Sequence, residues 1–162
     1  MRLESDDGSV VDLHPQQYEF GSSSTPRDWD ANWLIIAGRA KLADGRSWSF
    51  SDPSLTTWEA RELASWLRGV LAGDVEPVPF GGEEDERLLV FTEPNLGFSL
   101  AGREAERVTI RCHLSLESRP PWLLEDTDSD MFDFFIEVST PHSALAAAAD
   151  EWDHEISAFP VR

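Results

Sequence analysis

Cysteine, lysine and long apolar runs are nearly absent from this chain of 162 residues. Cys112 is the only cysteine, so the sequence excludes an intramolecular disulfide and a zinc site made of several thiolates. The longest apolar run, residues 144–149, is far shorter than the roughly 20 residues of a membrane-spanning helix. The first residues also lack the apolar core of a secretion signal. We therefore expect a cytoplasmic protein.

Basic residues are scarce as well, because 13 Lys and Arg stand against 31 Asp and Glu, for a formal net charge of −18. The excess is greatest in residues 120–161, which contain ten carboxylates and neither Lys nor Arg. Such a surface repels nucleic acid and anionic membranes, and it accelerates encounter with a basic protein by roughly 10 to 1000 fold. We therefore expect a basic protein as partner, with no nucleic acid and no membrane. The alternative is that the charge only maintains solubility.

A folded core is expected despite this charge, because 41% of the residues are hydrophobic and seven are tryptophan. The length fits one domain over residues 1–162. Thr56 and Glu59 have the spacing of a capping box, which predicts an amphipathic helix over about residues 57–71. Thr140 as N-cap, followed by Pro141, predicts a second amphipathic helix over about residues 141–157.

The remaining chain has the patterns of antiparallel strands. Apolar and polar residues alternate over residues 108–117 and again over 132–138, which predicts two strands, the first with one solvent-exposed face. Asp44 and Gly45 separate two apolar runs and predict a hairpin with a type I′ turn. The order of strands, helix, strands and helix favours an α+β fold. We expect an antiparallel β-sheet of about six to eight strands packed with two amphipathic helices.

Two acidic groups have spacings that metal ions use. Asp126, Asp128, Asp130 and Glu137 match a calcium loop, but Met131 stands where that loop requires glycine. The sequence further places Asp150 and His154 on one helical face without a third ligand. We therefore expect no metal and no cofactor.

Residues for nucleophilic catalysis are not grouped. Cys112 should be buried among apolar neighbours, and His113 should point to the opposite face of the same strand, so the two cannot form a dyad. The sequence contains neither a nucleophile elbow nor a phosphate-binding loop. We therefore predict that the protein is not an enzyme.

Contacts with a basic partner are expected from exposed carboxylates and loop tryptophans. Trp29 is predicted to lie in a loop beside Asp30, where an exposed ring supplies contact area and cation–π attraction to Arg. The alternative is that the ring packs the loop against the core. The residues predicted to bind the partner are Glu125, Asp126, Asp128, Asp130, Asp150, Asp153, Trp29 and Asp30.

Several strings of the sequence resemble the WapI-like family of small bacterial immunity proteins. They are DWDANWL at residues 28–34, GRSWSFSDP at 45–53, TTWEA at 56–60, FTEPNL at 91–96 and SLES at 115–118. The resemblance implies a protein that binds and neutralises the C-terminal toxin domain of a large contact-delivered protein. Such a toxin is often a nuclease that attacks RNA. The resemblance does not say which residues touch the toxin, and Thr56, Glu59 and Asn32 look like determinants of the fold.

We therefore favour an immunity protein that neutralises a cognate basic toxin domain, a nuclease, and that is a monomer or dimer. One alternative is another acidic protein-interaction module without catalytic activity, and a second is an enzyme with an unrecognised site. A gene immediately upstream for a very large secreted protein would favour the first hypothesis. A deep pocket with convergent polar groups would favour the enzyme.

Overall fold

The computed structural model describes residues 1–21, 28–78, 87–123 and 131–162. Within these ranges the chain forms eight antiparallel strands and two helices, which confirms the expected α+β fold. The strands are β1 Arg2–Glu4, β2 Val10–Tyr18, β3 Trp33–Lys41, β4 Ser47–Thr56, β5 Leu89–Val90, β6 Leu96–Arg103, β7 Arg107–Leu114 and β8 Phe135–Pro141. The helices are α1 Thr57–Ala72 and α2 His142–Ile156.

The strands divide between two four-stranded sheets, in the orders β1-β2-β3-β4 and β5-β6-β7-β8. Strands that follow each other within a sheet pair with each other, and α1 connects the first sheet to the second. Buried apolar side chains of both sheets and both helices form one core. The fully buried Trp152 of α2 joins the helices, because its indole N–H donates to the carbonyl oxygen of Ala60 at 2.8 Å.

The start of α1 is the predicted capping box. The backbone N–H of Glu59 donates to Thr56 Oγ1 at 3.3 Å, and the backbone N–H of Thr56 donates to Glu59 Oε2 at 2.7 Å. These bonds satisfy two donors that the first turn of a helix leaves free. The helix ends at Gly73, whose φ of 88° is the left-handed conformation that glycine adopts without steric cost.

The start of α2 differs from the prediction. Pro141, and not Thr140, occupies the N-cap position, and no side chain caps the helix. The backbone N–H of His142 instead donates to the carbonyl oxygen of Glu106 at 3.0 Å. A long-range backbone bond therefore replaces the local cap, which the sequence pattern could not indicate.

The β3-β4 hairpin is confirmed, but its turn is not type I′. Gly45 has a φ of 91°, whereas Asp44 is not among the described residues with positive φ. The N–H of Gly45 donates to the carbonyl oxygen of Leu42 at 2.9 Å. The N–H of Leu42 donates to the carbonyl oxygen of Arg46, also at 2.9 Å. This is the alternative hairpin connection, a type I turn followed by a left-handed glycine.

Strand β7 is buried on both faces, so the predicted solvent-exposed face is wrong. Cys112 is buried as expected, but Arg111 and His113 on the other face are only 2% and 1% exposed. The Arg111 guanidinium donates to the Val78 carbonyl oxygen at 2.9 Å, and His113 Nδ1 lies 2.7 Å from the Phe132 carbonyl oxygen. The segments that carry Val78 and Phe132 therefore cover polar residues that the alternation assigned to solvent.

Candidate protein-binding site: an acidic cleft between the two sheets

A cleft of about 260 Å³ lies where residues of the two sheets meet. Its walls come from the end of β2, from β3 and β4, from the β5-β6 connection and from the segment after β7. Four of its residues are carboxylates. The lining residues are Glu19, Trp33, Asp52, Pro53, Glu93, Asn95 and Glu117.

The wall formed by β4 coincides with an irregularity of the first sheet. The pairing of β3 with β4 shifts in register between Leu34 and Ile35, and the partner of Ile35 is Pro53. Proline has no N–H to continue a regular ladder, and bulges are where sheets tolerate it. The sequence Asp52-Pro53 therefore places a carboxylate and a rigid apolar ring where the ladder is interrupted.

The opposite wall is held by the capping box of α1. Glu59 uses its second carboxylate oxygen, Oε1, to accept the backbone N–H of Thr92 at 2.7 Å. The carbonyl oxygen of Asn95 accepts the hydroxyl of Ser118 and the N–H of Ser115. Glu59 thus ties the start of a helix to the segment of the second sheet that carries two cleft residues.

The cleft carboxylates lack a neutralising partner within the described part of the chain. None of Glu19, Asp52, Glu93 and Glu117 forms an ion pair with any residue in the described ranges. Burial, followed by the charge of Glu117, raises the pKa of Asp52 above its usual value. Burial and then the charge of Asp30 raise the pKa of Glu19. Both shifts mean that the free protein holds negative charge here at a cost, which a bound cation would relieve.

Asn95 is an unusual member of the wall because its side chain is buried without a partner. The residue is 1% exposed, and neither its Oδ1 nor its Nδ2 bonds to any described residue. A buried polar group without a hydrogen bond costs about 1–3 kcal/mol. In natural structures such groups are few and call for an explanation.

The predicted pair Trp29 and Asp30 lies beside this cleft. Asp30 is close enough to Glu19 to raise the pKa of that carboxyl. Trp29 is 50% exposed, and its ring stacks on Trp58 with centroids 5.3 Å apart. One face of the ring therefore packs on the fold, as the alternative expected, while much of its surface remains exposed, as contact with a partner requires.

The other predicted residues are either paired or outside the described chain. Asp150 Oδ1 lies 3.0 Å from Arg68 Nη2, and Asp153 Oδ2 accepts from Arg68 Nε at 3.0 Å, so one guanidinium of α1 joins these two carboxylates of α2. The residues outside the described ranges are Glu125, Asp126, Asp128 and Asp130. Of the calcium-like set only Glu137 is described, and it pairs with Arg111.

Composition and local spacing missed the cleft because its lining comes from distant parts of the chain. A signal for it was nevertheless present in the sequence. Four of the strings that resemble the immunity family each supply lining residues, namely Trp33, then Asp52 and Pro53, then Glu93 and Asn95, then Glu117. The resemblance did not indicate that residues of these four strings meet at one surface.

Cys112 and His113, the candidates for nucleophilic catalysis, are both buried in β7. Burial raises the pKa of the Cys112 thiol to about 12, so its nucleophilic thiolate is scarce at neutral pH. His113 is buried on the other face of β7, with Nε2 3.0 Å from Ser99 Oγ. Across the described ranges, no three His, Cys, Asp or Glu side chains are grouped so as to hold a metal ion.

No helix in those ranges is long and apolar enough to cross a membrane.

Comparison with known proteins identifies a family for this chain. No curated protein matches the chain significantly. The model of the Immunity protein WapI-like family matches residues 2–160, which is nearly the whole chain. The strings named above and this match agree. The chain therefore belongs to the WapI-like family of immunity proteins.

Proposed function

We propose that this protein binds and neutralises a cognate toxin domain, and that the toxin domain is a basic nuclease delivered by contact between cells. The acidic cleft and the adjacent residues Trp29 and Asp30 form the contact surface in this proposal. The observation that supports it is the set of four cleft carboxylates, none of which pairs with a basic residue of the described chain. The protein acts by stoichiometric binding in the cytoplasm and not by catalysis.

The proposal follows from how charge acts at interfaces. An unneutralised acidic surface steers a basic partner and raises the association rate. Charges that become desolvated in the complex act mainly on the dissociation rate, because they must be matched by the partner. Asp52 is partly buried already, and Trp29 offers a rigid exposed ring of the kind that dominates interface energy. The surface thus combines steering charge with an anchor.

The test is neutralisation of the C-terminal domain of a large secreted protein, which is to be sought in the gene immediately upstream. We expect that co-expression restores growth, that purified protein inhibits the toxin at an equimolar ratio, and that association slows as salt rises. Calorimetry gives the stoichiometry, and stopped-flow fluorescence of the tryptophans gives the rate. Inhibition at a small fraction of the toxin concentration would contradict binding as the mechanism. Failure to bind that domain, with binding to unrelated proteins, would favour the general interaction module.

A further inference from the structure

We propose that the acidic cleft receives an arginine side chain of the toxin domain, which becomes the anchor of the complex. This inference rests on the proposed function and names the group of the toxin that the cleft recognises. The cleft volume of about 260 Å³ lies below the roughly 300–1,000 Å³ of sites for drug-sized ligands. A cleft of this size suits one inserted side chain.

The arrangement of the carboxylates favours a guanidinium over a metal ion. Glu19 and Asp52 come from the first sheet, whereas Glu93 and Glu117 come from segments of the second. The described carboxylates do not converge into a metal-binding group. A guanidinium has five N–H donors in one plane and can reach acceptors on several sides, which a small ion cannot.

The apolar part of the wall favours arginine over lysine. Trp33 and Pro53 line the cleft next to Asp52, and Trp33 is only partly buried. A guanidinium stacks on an aromatic face and is weakly hydrated, so it loses little on leaving water. The lysine ammonium is a compact and strongly hydrated charge that would use fewer of these acceptors.

Asn95 supplies an observation that does not depend on the carboxylates. Its side-chain amide is buried in the cleft wall, and both polar atoms lack a partner among the described residues. The terminal torsion of asparagine is soft, so a small rotation turns the amide toward an occupant. Oδ1 then accepts a guanidinium N–H, and Nδ2 donates to a carbonyl oxygen of the inserted segment. An arginine on a loop satisfies both atoms.

The first experiment uses a small probe and does not need the toxin. N-acetyl-L-arginine methylamide is titrated into labelled protein, and the NMR signals of the Trp33 indole N–H and the Asn95 side-chain amide are followed. We expect saturable shifts centred on these two groups. The matched probes are the lysine compound and the uncharged citrulline compound. Equal shifts with citrulline, or displacement of the arginine probe by micromolar Mg²⁺ or Ca²⁺, would overturn the proposal.

Variants of equal charge separate the cleft from general acidity. Asp52→Asn with Glu117→Gln should weaken probe binding at least about fivefold, because each removes a charged acceptor. Glu62→Gln with Glu104→Gln changes the net charge equally at exposed positions away from the cleft and should leave binding unchanged. Asn95→Ala should weaken probe binding without lowering the melting temperature, since it removes an amide that has no described partner. Equal loss in both charge pairs would overturn the inference.

The toxin domain then distinguishes this inference from the proposed function. If wild type binds the domain, mutation of one arginine of the toxin to alanine should lower the affinity of the complex by about 30-fold or more. Mutation of the same arginine to lysine should not restore that affinity. Unchanged toxin affinity of the Asp52→Asn, Glu117→Gln protein would overturn the arginine anchor and leave the immunity function standing. No binding of the toxin by wild type would refute the immunity function, while the probe titration would still report on the cleft.

Discussion

The acidic face of α2 and the acidic cleft contain the same type of side chain but differ in what surrounds it. On α2, Asp150 and Asp153 share the guanidinium of Arg68. In the cleft, the four carboxylates have no ion-pair partner within the described ranges, and burial and neighbouring charge raise the pKa of Asp52 and Glu19. The local density of acidic residues in the sequence therefore does not reveal which carboxylates are available to a partner.

The largest expected effect on toxin binding comes from reversing one charge of the cleft. Reversing one charge of α2 provides the comparison. Asp52→Lys should weaken binding of the toxin domain by about 30-fold or more, because a matched charge at a buried contact contributes roughly 2–5 kcal/mol. Asp150→Lys should mainly slow association, by a few fold at low salt. Surface plasmon resonance measures both, with melting temperatures as a check on folding. A stronger effect at Asp150 would reverse the comparison.

A smaller effect on toxin binding is expected when the hydrogen bonds that support the cleft wall are removed and the lining residues are kept. Glu59→Ala removes the capping-box bond and the bond to Thr92, and should lower the free energy of unfolding by about 1–3 kcal/mol. Thr56→Ala removes the cap alone and should cost about 0.5–2 kcal/mol. Urea denaturation measures both. Toxin affinity should fall only with Glu59→Ala, because Glu59, unlike Thr56, bonds to the segment bearing Glu93 and Asn95. Equal affinities would show that the wall does not depend on this bond.

The stability of the protein should depend on pH through the carboxyl group of Asp52. Because folding raises the pKa of Asp52, the folded protein binds this proton more tightly than the unfolded chain. Stability should therefore fall as pH rises through the interval between the ordinary and the raised pKa, and level off above it. Asp52→Asn should reduce this fall and be slightly more stable at neutral pH. Thermal unfolding from about pH 4 to about pH 7 tests this, with Glu62→Gln as an exposed control. A less stable Asp52→Asn at neutral pH would contradict the assignment.

A still smaller change is expected on α2. Arg68→Met should leave stability nearly unchanged, because the ion pairs with Asp150 and Asp153 are exposed. It should also speed association with the basic toxin slightly, since two carboxylates lose their partner. Stopped-flow association rates at low salt provide the measurement. A marked loss of stability would mean that this pairing supports the helix packing.

No effect is expected from chelation. The acidic segment with calcium-like spacing lacks the glycine that the turn requires, so EDTA should not change the melting temperature. A fall in melting temperature of several degrees in EDTA that calcium reverses would contradict this prediction. It would indicate a metal site at Asp126, Asp128, Asp130 and Glu137.

Local signals in the sequence located most elements correctly. The capping box and the glycine after α1 act over one helical turn, so Thr56, Glu59 and Gly73 could be interpreted without tertiary structure. The alternation in β7 correctly assigned the buried face of Cys112. It failed on the other face, because segments around Val78 and Phe132 cover Arg111 and His113. Periodicity reports how a strand is pleated and does not report what later packs against it.

The sequence by itself determined the fold class, the start of α1, the large negative charge and, through its strings, the family. Only the tertiary structure decided that the strands form two sheets and that Glu19, Asp52, Glu93, Asn95 and Glu117 meet in one cleft. It also decided that Arg68 pairs with Asp150 and Asp153, two of the carboxylates of α2. The physical reason is the distance along the chain over which each signal acts. Caps, turns and alternation depend on residues that are neighbours in the sequence. The availability of a charge depends instead on groups that folding brings from far away.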